Sequence, residues 1–192
     1  MKNTIFKTLF LISLINNFLS CKAQQIMPLN TSIDDIPANA YVKDLNHELD
    51  PYIGTYKADH QGKEITLFIT KVENKLEKNV GKIYYLDALI VKYIIKNSSG
   101  TILQDTQNMN LQNNGISSYR IRSYDNSVIL YYEGTNCGVG WGNVFLKKIN
   151  ATQISWLYEP DDLMILPGQC PGNPDLIIYL PETKDPLIFT KQ

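Results

Sequence analysis

Two histidines and three cysteines are all that 192 residues provide of imidazole and thiol. A metal centre or a thiol nucleophile therefore has few ingredients to draw on. Charge of one sign is missing too: 18 Lys and Arg face 19 Asp and Glu, a formal net charge of −1 at pH 7. Nucleic-acid binding leans on a basic face, and the composition makes no case for one. No internal repeat is visible. What the chain does have is 44% hydrophobic residues and aromatics dominated by 12 Tyr, against 6 Phe and 2 Trp. That is enough to fill a core, and the length suits one domain.

The first apolar run is short. Lys2 and Lys7 precede Leu9–Leu19, which Asn16 and Asn17 interrupt. A bilayer-spanning helix needs about 20 apolar residues, so residues 1–20 read as a signal peptide. They end in Phe18-Leu19-Ser20-Cys21. This resembles a bacterial lipobox, in which the cysteine thiol receives diacylglycerol, the leader is cut before it, and the new amine is acylated. Phe18 stands where leucine is usual. The resemblance implies a palmitate-class anchor on Cys21, since two or more acyl chains hold a protein stably on a membrane. Lys22 is not the aspartate of inner-membrane retention, so outer-membrane sorting with a periplasmic face is the expected localisation. The membrane would then be the first partner.

With Cys21 assigned to lipid, Cys137 and Cys170 remain. Outside the cytoplasm such a pair tends to oxidise, so a structural disulfide is expected, with two free thiols as the alternative. No C-x-x-C motif and no neighbouring histidine suggest redox or metal chemistry.

Residues 21–40 read as a polar tether with Pro28 and Pro37. Val42, Leu45 and Leu49 fall at helical spacing and suggest a short helix over Tyr41–Leu49, stopped by Asp50-Pro51. From there to residue 192 the pattern is of strands. Ile65, Leu67 and Ile69 alternate within Glu64–Val72. Lys82–Lys96 is apolar on both phases, hence one long strand or two, covered on both faces. Further strands are expected at Thr101–Met109, Ile116–Ser123, Ser127–Glu133, Asn143–Ile149, Gln153–Tyr158, Leu176–Leu180 and Leu187–Thr190, joined by Asn-, Asp- and Gly-rich turns. The predicted fold is all-β: an antiparallel meander of eight to ten strands over 41–192, closed into a barrel, with a β-sandwich as the alternative.

Leu49-Asp50-Pro51-Tyr52-Ile53-Gly54-Thr55-Tyr56 resembles the opening of lipocalin-like barrels. There a short helix precedes a Gly-x-Trp on the first strand, and the aromatic plugs the closed end. Gly54 matches, and Tyr56 replaces the tryptophan. No motif marks the basic residue that packs on that aromatic, and the C-terminal helix of lipocalins has no counterpart. More of the chain resembles a family of uncharacterised flavobacterial lipoproteins. The resemblance runs through Cys21-Lys22-Ala23-Gln24, Leu29-Asn30-Thr31, Gly54-Thr55-Tyr56, Tyr131-Tyr132-Glu133-Gly134, Asn136–Gly142 and Cys170-Pro171-Gly172. It implies an anchored domain and carries no activity.

Candidate sites are sparse. Gly138, Gly140 and Gly142 alternate, but a strand follows and the Lys-Ser/Thr of a phosphate loop is absent, so a tight loop with Trp141 as lid is expected. Glu159, Asp161, Asp162 and Asp175 offer oxygen ligands without calcium-loop spacing and read as a solvated acidic loop. His47 and His60 lack a nucleophile motif. Tyr84, Tyr85, Tyr131 and Tyr132 fit strand packing as well as ligand stacking. No metal, cofactor or catalytic set is expected. The leading expectation is a non-enzymatic binding module for a small apolar ligand, since a barrel of about eight strands has room for one. Tyr56 and Trp141 are its first candidate contacts. The alternatives are an interaction module with a packed core and, last, an envelope hydrolase.

Overall fold

The computed structural model describes residues 23–79, 81–108, 115–161, 165, 168 and 170–192. Its strands are β1 (Ile26–Pro28), β2 (Tyr41–Lys43), β3 (Gly54–His60), β4 (Lys63–Asn79), β5 (Lys82–Lys96), β6 (Ile102–Asp105), β7 (Ile116–Arg122), β8 (Ser127–Tyr132), β9 (Gly142–Lys148), β10 (Gln153–Pro160) and β11 (Leu187–Lys191). Eight of them close a barrel in the order β3, β4, β5, β7, β8, β9, β10, β11, all antiparallel, with β11 returning to β3. The expected barrel is therefore the observed fold. Strands β2 and β6 pair with β5 outside the barrel, and β1 pairs with β2.

Period-two alternation sends every second side chain inward. Register sets Tyr56 beside Leu67 and Leu67 beside Tyr93. On the opposite wall Trp156, Leu146 and Val128 form a second inward row. Tyr158, Tyr132 and Phe189 complete a core dominated by rings. Tyr132 meets Tyr93 and Tyr158 edge to face at 6.4 and 5.8 Å, the geometry that aromatic quadrupoles favour. A cavity large enough for water would expose its lining, yet Tyr56, Leu67, Leu130, Leu146 and Tyr158 are each 0% exposed. The interior is filled, and the expected room for a ligand inside the barrel is absent around these residues.

β5 explains its two-phase sequence by being covered twice. Val91, Tyr93 and Ile95 point into the barrel, while Tyr84, Leu86 and Ala88 lie on the other face. The N-terminal segment covers that outer face. Leu29, Ile36, Ala40 and Val42 are buried against it, with β2 pairing parallel to β5 and β1 parallel to β2. This corrects the tether expected over 21–40: from Ile26 onward the segment is part of the folded domain. The expected helix over Tyr41–Leu49 is also replaced, by strand β2 and a turn. Pairing with β5 satisfies the backbone there, and Leu45 stays exposed while Val42 and Leu49 are buried. Leu176–Leu180 forms no strand and runs as an irregular cover over one end of the barrel. β4 outruns its expected length because a register shift between Val72 and Lys75 lets it follow β5 beyond the barrel wall. β6 is shorter than expected, and Met109 lies outside the described residues.

The two barrel ends differ. At one end the turn Asp50–Tyr52 folds beneath the strands. Tyr56 lies there, with Lys148 Nζ 5.7 Å and Lys191 Nζ 5.8 Å from its ring centroid, so two lysines take the place of the basic residue that no motif marked. Lys148 Nζ also donates to the Pro51 carbonyl at 3.0 Å. A side chain on Gly54 would put its Cβ 2.6 Å from Lys191 Cε, which accounts for the glycine two residues before the aromatic. This is the closed end.

Candidate functional site

The opposite end carries a cleft of about 250 Å³. Its floor is the Tyr93–Tyr132 pair, with hydroxyls 2.9 Å apart and Tyr93 Oη donating to Gln104 Oε1 at 3.0 Å. β6 forms one wall through Leu103, Gln104 and Asp105. The loop at Thr135 and the 175–179 segment form the others. Two links hold those walls together. Cys137 and Cys170 are bridged, with Cα atoms 5.8 Å apart. Asn136 Nδ2 donates to the Asp175 carbonyl at 2.8 Å. The bridge realises the expected disulfide.

The titratable groups of the cleft are tyrosines and carboxylates. Burial drives the Tyr93 phenol far above its ordinary pKa, and the neighbouring Tyr132 adds to this. Burial raises Tyr132 as well. Both hydroxyls are neutral at physiological pH. Asp175 accepts from Ile177 N–H at 3.0 Å and from the Tyr179 hydroxyl at 2.8 Å, and Asp105 accepts from Gln107 N–H at 2.8 Å. Their oxygens are thus partly committed to their own turns. The described lining contains no lysine, arginine or histidine. The cleft therefore offers hydrogen-bonding edges, apolar surface and two carboxylates, with the Lys63 ammonium behind it, 6.0 Å from the Tyr179 ring centroid.

The sequence-predicted residues are not gathered here. Tyr56 is at the closed end, wholly buried beneath the lysines. Trp141 is at the cleft end but outside the wall, tilted against Tyr131 with ring centroids 6.2 Å apart. Tyr56 and Trp141 therefore form no joint site. Gly142 is fixed by β10: a Cβ there would lie 2.3 Å from the Glu159 carbonyl oxygen. Glu159 is paired in β10 with Asn143, and Asp161 N–H donates to the Trp141 carbonyl at 2.7 Å. Asp162 and Cys21 lie outside the described residues, as do residues 1–20, expected to be a signal peptide. His60 lines a shallow depression with Ile178 and Leu180, and His47 hydrogen-bonds Asp50 at 2.9 Å. No group of three His, Cys, Asp or Glu able to hold a metal occurs among the described residues.

A polar cluster at the closed end escaped the sequence reading. Lys71 Nζ donates to Asp44 and Asp50, both at 2.7 Å. Asp44 also accepts from the N–H groups of Glu48 and Leu49, at 2.7 and 3.2 Å. Asp87 accepts from Tyr41 Oη at 2.5 Å and from the N–H groups of Asp44 and Asn74, each at 3.0 Å. Burial alone would raise the Asp87 pKa, but these donors hold it below the ordinary carboxylate range. Burial and Asp87 together push the Tyr41 phenol up to about 12. The cluster pins the 41–50 segment and the bulge at Asn74 to the barrel. The signal that could have found it is Asp87 itself, a lone carboxylate inside Tyr84–Val91.

A model of the family of unknown function DUF6705 matches residues 1–174. The chain belongs to that family. No curated protein and no solved structure matches it.

Proposed function

We propose that this DUF6705 chain is a lipid-anchored, non-enzymatic binding module of a bacterial cell envelope, held through Cys21 and taking a small ligand in the Tyr93–Gln104–Tyr179 cleft. The observation that carries this reading is the cleft of about 250 Å³ at the end opposite the plug, above a filled interior. The packed rings leave no tunnel for an acyl chain, so the apolar ligand expected from sequence is narrowed to a ring-sized one. It stacks on the apolar part of the lining and hydrogen-bonds at its edge. Carboxylates without a lining cation favour a neutral or cationic ligand over an anion. Neutral phenols and carboxylates engaged by their own turns support binding over catalysis. Native mass spectrometry of the mildly extracted lipoprotein tests this. A bound small molecule, lost in Tyr179→Ala and Gln104→Ala, is expected. Ligand-free protein from the native membrane, with no thermal shift from a panel of neutral and cationic metabolites, refutes it.

The filled core favours a second reading, an interaction module that meets an envelope protein through its rim loops. Crosslinking from Ile177, exposed at the cleft edge, should then capture one partner reproducibly from intact cells.

A further inference from the structure

The paired strands β4 and β5 run past the closed end, and β2 and β1 extend that projecting sheet. Register aligns one residue from each strand: Ile26 beside Tyr41, Tyr41 beside Tyr85, and Tyr85 beside Leu76. Paired residues share a face, and alternation along β5 puts Tyr85 on the side that continues the barrel's inner wall. Nearest the barrel that side is covered, with Asp87 buried beneath Tyr41 and the 44–50 turn; farther out its apolar side chains stay exposed among the described residues. Ile26 is 55% exposed, Leu76 50% and Ile83, two residues before Tyr85, 45%. The opposite side of the same sheet, which carries Tyr84, Leu86 and Val42, is buried with Leu29 and Ile36 in the core. One face of the extension is thus core, and the other an uncovered band of isoleucine, leucine and tyrosine.

The band lies where the anchor would be. Strand β1 begins at Ile26, and only five peptide steps separate that residue from Cys21. Fully extended, they reach about 17 Å. A polar tether of twenty residues would have let the domain hang free, but this spacer does not. Lys43 and Lys78 sit on the same face, Lys43 with its ammonium 5.8 Å from the Tyr41 ring centroid. Two carboxylates face Tyr41: Asp87, which accepts from its hydroxyl at the buried edge of the band, and Glu73 from the bulge. Apolar side chains with tyrosines and flanking lysines suit the headgroup–acyl boundary, where aromatic rings sit and lysine stems reach the phosphates.

We propose that the Ile26–Tyr41–Tyr85–Leu76 band, with Ile83, is a membrane-docking face that lays the closed end of the barrel on the bilayer. The inference rests on the lipid anchor at Cys21. The cleft, at the other end of the barrel, then faces away from the membrane into the aqueous compartment, open to ligand or partner. The anchor supplies attachment, and the band supplies orientation.

The test uses the full acylated lipoprotein in vesicles of phosphatidylethanolamine with a minor fraction of phosphatidylglycerol. With Cys21 acylated and Cys137 bridged to Cys170, a thiol introduced by Leu76→Cys is uniquely labelled with an environment-sensitive fluorophore. Ser98→Cys, in the turn at the cleft end, is the control, and Ile83→Cys is a second probe of the band. The expected result is blue-shifted emission from both band labels, quenched by nitroxide lipids, and water-like emission from Ser98. Water-like emission from the band in protein that carries the acyl mass and floats with vesicles overturns the docking face and leaves the anchor standing. Unmodified Cys21 in protein that stays off the vesicles overturns the anchor and the docking face together. A blue shift that lipid nitroxides do not quench and that grows with protein density indicates a second copy on the band, and also overturns the proposal.

Discussion

Replacing Lys71 by methionine keeps most of the side-chain volume and removes its charge from the closed end. Lys71 is 12% exposed and its partner Asp44 has a wholly buried side chain. Breaking such a pair from one side typically costs about 3–5 kcal/mol, because the remaining charge is left uncompensated. Asp44 keeps two backbone N–H donors, which places the expected loss near the lower bound, at about 3 kcal/mol. The pair with Asp50 adds little, since that carboxylate is 45% exposed and screened by water. Urea unfolding of Lys71→Met at neutral pH measures the loss. The double variant Lys71→Met with Asp44→Asn removes the stranded charge as well and should recover at least about 1 kcal/mol of it. Hydrogen exchange at Glu48 and Leu49 should quicken in the single variant. A loss below about 1 kcal/mol, or a double variant no more stable than the single one, would refute the claim that a buried ion pair holds the turn.

The same cluster gives a pH dependence: Asp87 and Asp50 are held below their ordinary pKa, so their stabilisation is complete above the unfolded value of about 4 and is lost as acid titrates through the lower folded value. Unfolding free energy should therefore fall steeply below about pH 4. Phenols behave with the opposite sense. Tyr93, Tyr132 and Tyr158 are raised by burial, so their contribution is present below about pH 10 and is lost above it, and tyrosinate absorbance should plateau short of all 12 tyrosines until the protein unfolds. Reducing Cys137–Cys170, 33 residues apart, should cost about 3–4 kcal/mol in the chain-entropy model, read by urea unfolding with and without reductant. Gly142→Ala should cost about 1–3 kcal/mol and weaken the β9–β10 pairing, because its Cβ would meet backbone rather than a mobile side chain; an unchanged unfolding midpoint would contradict that geometry.

Much of the barrel was legible because a strand pair buried on one face leaves a period-two trace. Ile65, Leu67 and Ile69 show it, and the hairpins around Asp125-Asn126 and Asn150-Ala151 mark their own turns. The plug was partly legible, since Gly54-Thr55-Tyr56 announced an aromatic at a closed end. Its lysines did not, because Lys148 and Lys191 approach Tyr56 from strands far away in the chain. The expected helix over Tyr41–Leu49 failed for a related reason. Three apolar residues at helical spacing are a weak local preference, and a free edge of β5 offered its backbone stronger partners.

Local sequence thus determined the strand content, the turns and the pair of cysteines available for a bridge. These follow from periodicity, backbone preference and composition, which act within a few residues. Tertiary structure decided whether the interior is hollow, where Tyr56 and Trp141 stand, that residues 26–40 belong to the folded domain, and that a cleft and an apolar band occupy opposite ends. Each of these depends on which side chains from distant strands arrive at the same place and how completely they exclude water. One residue of register moves a side chain from one face of a sheet to the other, and only the closed barrel fixes that register.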